Sequence, residues 1–92
     1  HSLYIIHSAT LDSYYVGESP DVQRRLKQHN EYYFKSNFTK GATDWQISMK
    51  YDCANRAEAL FLEKFIKKMK SRVFIEKVLD NPKILSDILK RK

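Results

Sequence analysis

Leu3-Tyr4-Ile5-Ile6-His7-Ser8-Ala9-Thr10-Leu11-Asp12-Ser13-Tyr14-Tyr15-Val16-Gly17 is the stretch that decides the fold. Residues 3–8 and 14–17 are rich in strand-favouring side chains, and residues 9–13 between them supply Asp and Ser for a turn. The stretch therefore reads as a β-hairpin. Leu3 and Ile5 point to one face, Tyr4 and Ile6 to the other. Both faces are apolar, so the hairpin is expected to be central and covered on both sides. A turn centred on residues 10 and 11 pairs positions whose numbers sum to 21, which puts Tyr4 and Tyr15 on the same face.

Outward from the hairpin, Ser19-Pro20-Asp21 reads as a helix start, with a hydroxyl cap, proline in the first turn and an acid beside it. The helix runs to about residue 30. Val22 and Leu26 form its apolar stripe, Arg25 and His29 fall beside that stripe, and Arg24, Lys27 and Gln28 are expected to face water. Residues 31–44 read as a polar loop with many aromatics. Trp45, Ile47, Met49 and Tyr51 alternate with polar residues, which predicts a third strand with one wetter face. Asn55 caps a long helix to about residue 70, with Leu62, Phe65, Ile66 and Met69 as its buried arc. Ser71 caps a further helix to about residue 79, and Asn81-Pro82 restarts another.

These elements predict an α/β (α+β) fold: a small three-stranded antiparallel sheet packed with helices, in the order β-β-α-β-α-α. The 92 residues make one domain, residues 1–92, with a basic helical extension over about 72–92. A core of this size leaves little room for a deep cavity, so a substrate is expected to lie across a surface. The net charge of +6 favours polyanionic partners and is unevenly spread. Residues 1–34 sum to −1 and residues 35–54 to +1, whereas 55–70 and 71–92 each carry +3. Cys53 is the only cysteine, which excludes an intramolecular disulfide and a cysteine metal cluster. A reducing, cytoplasmic location is expected. An apolar run of ~18 residues is absent, as is a signal-peptide pattern, so neither membrane insertion nor secretion is suggested.

Five side chains have the chemistry for cutting a phosphodiester. Two phenols on one sheet face, Tyr4 and Tyr15, can position or deprotonate a water if a cation or a proton acceptor stands near. Arg25 and His29 are i, i+4 neighbours: a guanidinium fork for phosphate oxygens and a group suited to proton relay. Glu63 lies among Lys64, Lys67, Lys68 and Lys70, and one carboxylate can hold one hydrated Mg²⁺ that takes phosphate oxygens as further ligands. Each also has a plainer explanation. Strand tyrosines pack, helix Arg-His pairs are solvated, and Glu63–Lys67 is an i, i+4 ion pair. Gly17 is either a turn residue or a point of close substrate approach. Lys35, Asn37, Thr39 and Lys40, interleaved with Phe34, Phe38 and Trp45, are candidates for phosphate contact and base stacking, or for fastening the loop to the core.

Taken in order, these residues resemble the GIY-YIG nuclease family, in particular its small single-domain bacterial members, over about residues 3–74. Ser2-Leu3-Tyr4 stands for the first tripeptide and Tyr15-Val16-Gly17 is the second. Arg25 follows Tyr15 by ten positions, as the family's catalytic arginine does, and His29 matches the histidine found four residues further on. Glu63 matches the metal-binding glutamate. The resemblance implies a DNA endonuclease using one Mg²⁺ or Mn²⁺ held by Glu63. A water would be activated near Tyr4 and Tyr15, with Tyr4 and His29 favoured as the base pair and Arg25 stabilising phosphorane-like charge. Gly17, Lys35, Thr39, Lys40 and Lys67 would then contact DNA. Three departures stand out. Ser2 replaces a glycine, Glu18 follows the second tripeptide where a basic or small residue is frequent, and Ile75 stands where repair members have asparagine. Two other readings compete: a catalytically silent nucleic-acid-binding module of the same fold, and a protein-interaction domain anchored by Tyr32, Tyr33, Phe34 and Phe38.

Overall fold

A hairpin with numbers summing to 21 opens the chain. In the computed structural model, which describes residues 1–31 and 42–91, β1 (Ser2–Ser8) and β2 (Ser13–Ser19) pair antiparallel from Ser2↔Ser19 to Ser8↔Ser13. β3 (Trp45–Asp52) pairs antiparallel with the other side of β1, giving the strand order β2-β1-β3. Only β1 is central; β2 is an edge strand. The turn is fastened from outside. Arg72 donates to the Asp12 backbone carbonyl at 2.7 Å and to its carboxylate at 2.9 Å, holding Asp12 in left-handed backbone conformation.

Both sheet faces are covered. Leu3, Ile5 and Val16 pack with Leu62, Ile66, Val78, Leu85 and Ile88, which belong to α2 (Arg56–Met69), α3 (Arg72–Asp80) and α4 (Lys83–Lys90). Tyr4 and Ile6 pack on the opposite face with Val22, Ala42 and Trp45, beneath α1 (Val22–Asn30). The element order is β-β-α-β-α-α-α, so the expected helical tail is two helices. Val78, Leu85 and Ile88 from these helices are buried in the larger core.

The third strand keeps the expected alternation of covered and exposed residues but changes which sheet face they lie on. Ile5 pairs with Met49 while Ile6 pairs with Ile47, leaving Ser48 as an extra residue in a β-bulge. One extra residue reverses the facing of everything beyond it. Trp45 and Ile47 therefore join the α1 side, and Met49 and Tyr51 the α2 side. The expected single wetter face does not form.

Helix boundaries also differ in places. Ser19 ends β2, and Asp21 is the cap of α1, its carboxylate accepting from the Arg24 amide at 3.1 Å. Ser19 Oγ instead accepts from the Asp21 amide at 3.0 Å, so hydroxyl and carboxylate share the turn around Pro20. Asn55 caps α2 as expected, with Glu58 reaching back to the Ala54 amide, and Ser71 caps α3. Met69, placed in the buried arc from periodicity, is 47% exposed because α2 ends there and turns through left-handed Lys70. Gln28, expected to face water, is half-buried.

Candidate active site

Tyr4 pairs with Gly17 across the hairpin, and its ring lies flat across that glycine. A methyl group on Gly17 would stand 2.6 Å from both Cζ and the hydroxyl oxygen of Tyr4. Gly17 has no positive φ, so space rather than backbone freedom demands glycine here. The room expected for an approaching substrate is filled by the phenol. Tyr15 lies diagonally adjacent on the same face, with its ring centroid 6.4 Å from that of Tyr4.

Helix α1 brings the other two groups of this face. Its C-terminal end is latched to β3 by a reciprocal pair of hydrogen bonds. Asn30 Nδ2 donates to the Trp45 carbonyl at 3.0 Å, and the Trp45 amide donates to Asn30 Oδ1 at 2.6 Å. One turn of registry is thereby set, and His29 is pressed inward to 1% exposure. Its Nε2 lies 2.9 Å from the Tyr4 hydroxyl, and its ring centroid is 4.8 Å from that of Tyr15. Asn30 was not singled out from the sequence, where it reads only as a residue near a helix end.

Burial governs how these groups titrate. The loss of water pushes the Tyr4 phenol up to about 12, with Tyr15 adding to the rise. A hydrogen bond from Arg25 and its charge pull in the opposite direction without overcoming the rise. His29 falls to about 4, first through burial and then through the nearby Arg25 cation. At neutral pH the pair is a phenol and a neutral imidazole joined by one hydrogen bond, whose donor is set by the imidazole tautomer. Both shifts oppose transfer of the Tyr4 proton onto His29. In the resting protein this hydrogen bond holds the Tyr4 hydroxyl against His29.

The acid comes from α2. Leu62 and Ile66 face the core, which turns their neighbours Glu63 and Lys67 to the rim beside β2. The Glu63 side chain is 16% exposed, and its carboxylate lies 3.6 Å from Lys67 Nζ. Lys67 in turn sits 5.3 Å from the centre of the Tyr15 ring. The negative charge of Glu63 contributes to the raised pKa of Tyr4, which places the carboxylate within electrostatic reach of that phenol. Tyr4, Tyr15, Arg25 and His29 thus gather on the α1 face of the sheet, and Glu63 on α2 acts on Tyr4 through its charge. Among the described residues no group of three or more His, Cys, Asp or Glu side chains could hold a metal. A lone, largely withdrawn carboxylate suits one hydrated Mg²⁺ or Mn²⁺ that completes its shell with water and substrate oxygens.

Two grooves flank this cluster. One, of about 650 Å³, runs beside β2 past Tyr15 and Lys67 toward Arg72 and Ile75. The other, of about 480 Å³, lies at the far end of β2 and is lined by Arg24, Arg25 and Arg56 among others. Glu18 stands across from Leu3, on the sheet face away from Tyr4, and is engaged at 3.6 Å by both His1 and Arg56. Its side chain is 13% exposed and lines the same groove as Arg25. Arg24 and Arg56 were not singled out; adjacent arginines on α1 and one at the start of α2 meet only in three dimensions. Lys35, Thr39 and Lys40, and the aromatic anchor of Tyr32, Tyr33, Phe34 and Phe38, lie outside the described residues.

Compared with known families, residues 1–77 match the model of the GIY-YIG catalytic domain. No curated protein and no solved structure matches the chain.

Proposed function

The chain belongs to the GIY-YIG nuclease family, and from that premise we propose that it is a divalent-metal-dependent DNA endonuclease that hydrolyses phosphodiester bonds in a structure-directed way. The observation that supports this most is the Tyr4–His29 pair with the Arg25 guanidinium hydrogen-bonded at Tyr4 and the Glu63 charge felt by the same phenol. Arg25, already hydrogen-bonded at Tyr4, offers the forked donors that stabilise charge building on a phosphate in flight. Arg24 and Arg56 line the adjoining groove and extend that positive potential along the strand path. Tyr4 is held in a single orientation by His29 and the face of Gly17, so its hydroxyl enters the reaction pre-positioned. The proposed base is Tyr4, oriented by His29, with Tyr15 beside it shaping the same face.

Glu63 is the residue that would hold the divalent ion. Once bound, such an ion supplies positive charge beside the scissile phosphate and favours the ionised forms of nearby oxygen acids. The Lys67–Glu63 ion pair would then loosen, freeing Lys67 for a phosphate oxygen. Structure rather than sequence is the proposed basis of selection, because a single small domain offers little surface for reading bases.

Purified protein incubated with duplex, single-stranded, flapped and branched DNA tests the reading directly. Cleavage is expected with Mg²⁺ or Mn²⁺, and neither Glu63→Gln nor Arg25→Ala is expected to cleave. Cleavage that persists in both variants would remove the assigned site. Salt-sensitive binding with no cleavage of any substrate would instead mark a silent module of the same fold.

A further inference from the structure

Resting on that endonuclease reading, we infer that the groove beside Tyr15 receives an unpaired nucleotide adjoining the scissile phosphate, so that the substrate is DNA with a single-stranded element at the cut. Three features of the groove point this way. Its lining is predominantly apolar and includes Tyr14, Tyr15, Ile66 and Ile75, while Lys67 and Lys70 stand at its rim. An intact duplex presents phosphates and stacked base edges, which gain nothing from an apolar trough. A nucleotide released from the stack presents a hydrophobic face and one phosphate together.

The second feature is continuity. Tyr15 and Lys67 belong both to this groove and to the candidate active site, so the groove opens onto that site. The third is the edge of β2. Its inner side pairs with β1, and Ser13, Tyr14, Tyr15 and Val16 line the groove with the other. Outward backbone N–H and C=O groups there can meet the hydrogen-bonding edge of an unpaired base. Ile75 completes the trough. An amide in that wall would favour a polar ligand; the isoleucine gives only methyl groups.

The decisive experiment uses the wild-type protein and changes the DNA. Binding is measured in EDTA, so that no cleavage intervenes, to a flapped duplex, to the same flap with an abasic site at the nucleotide next to the junction, and to continuous duplex. The abasic flap is expected to bind about five- to a hundredfold more weakly than the intact flap. 2-Aminopurine at the same position should change its fluorescence on binding. On the protein side, Ile75→Asn should weaken flap binding at least about fivefold and leave duplex binding within twofold. Equal affinity for intact and abasic flaps, or equal affinity for flap and duplex, overturns the inference. So does a second copy of the chain occupying the groove, detected by sedimentation at binding concentrations. Flap preference without cleavage in metal would refute the endonuclease reading alone, and cleavage without base dependence would refute only the groove.

Discussion

The Tyr4 hydroxyl lies 2.9 Å from His29 Nε2, and both side chains are 1% exposed. Two groups that ordinarily titrate near 10 and 6.5 are here driven further apart, to about 12 and about 4. The pair is neutral over the whole physiological range, and this has measurable consequences.

If Tyr4 acts as its phenolate, cleavage should rise about tenfold per pH unit from pH 6 to pH 10, because the ionised fraction grows tenfold per unit below the pKa. No inflection is expected near 6.5, since His29 has already lost its proton by then. Tyr4→Phe should flatten the slope and slow cleavage by about 10²–10⁴-fold. A plateau already reached at pH 7 in the wild-type profile counts against Tyr4 as the base.

Stability should fall as the solution is acidified through the histidine range. His29 binds its proton near 4 when folded and near 6.5 when unfolded, so between those values the unfolded chain holds more protons. Stability is therefore full above about 6.5 and is lost as pH drops toward 4. Between pH 7 and pH 5 the loss should be about 2 kcal/mol. Urea titrations at the two values check this, and His29→Gln should remove most of the difference.

Gly17→Ala should destabilise the fold by about 1–3 kcal/mol, because the new methyl meets the Tyr4 ring at 2.6 Å and neither the central strand nor the phenol can retreat freely. The damage should be coupled. Combined with Tyr4→Ala, the glycine change should cost much less than it does alone, as a double-mutant cycle on denaturation midpoints would show.

Asn30→Ala removes both hydrogen bonds that join the end of α1 to the first residue of β3. The Trp45 amide and carbonyl lose their partner where Trp45 itself is buried, at a cost of about 1–3 kcal/mol. Because α1 carries Arg25 and His29, cleavage should fall further than the loss of folded protein explains. Comparison of the rate per folded molecule with wild type separates the two effects.

How much of this was legible in the sequence depends on the range of the interaction. The hairpin register follows from the turn position alone, and it places Tyr4 and Tyr15 together without reference to any other element. The caps of α2 and α3 are local as well, and Asn55 and Ser71 take the roles their spacing gives them. The bulge at Ser48 was not legible, because a strand with strict alternation and one with a mid-strand reversal share the same apolar pattern. Met69 fits the period of α2 and fails only because the helix stops. The site divides the same way. Residue types and spacing brought five candidates forward, but the burial of His29, the filling of the space over Gly17 and the meeting of Arg24 with Arg56 arise from packing between distant segments.

The extra residue in β3 gives one strand two allegiances. Its first half, Trp45 and Ile47, floors the layer from which α1 presents Arg25 and His29. Its second half, Met49 and Tyr51, serves the layer of three helices that keeps the molecule folded. Changes upstream of Ser48 therefore act on the layer that carries Arg25 and His29, and changes downstream on the layer of α2, α3 and α4. Shortening the strand there by one residue would set these two demands against each other.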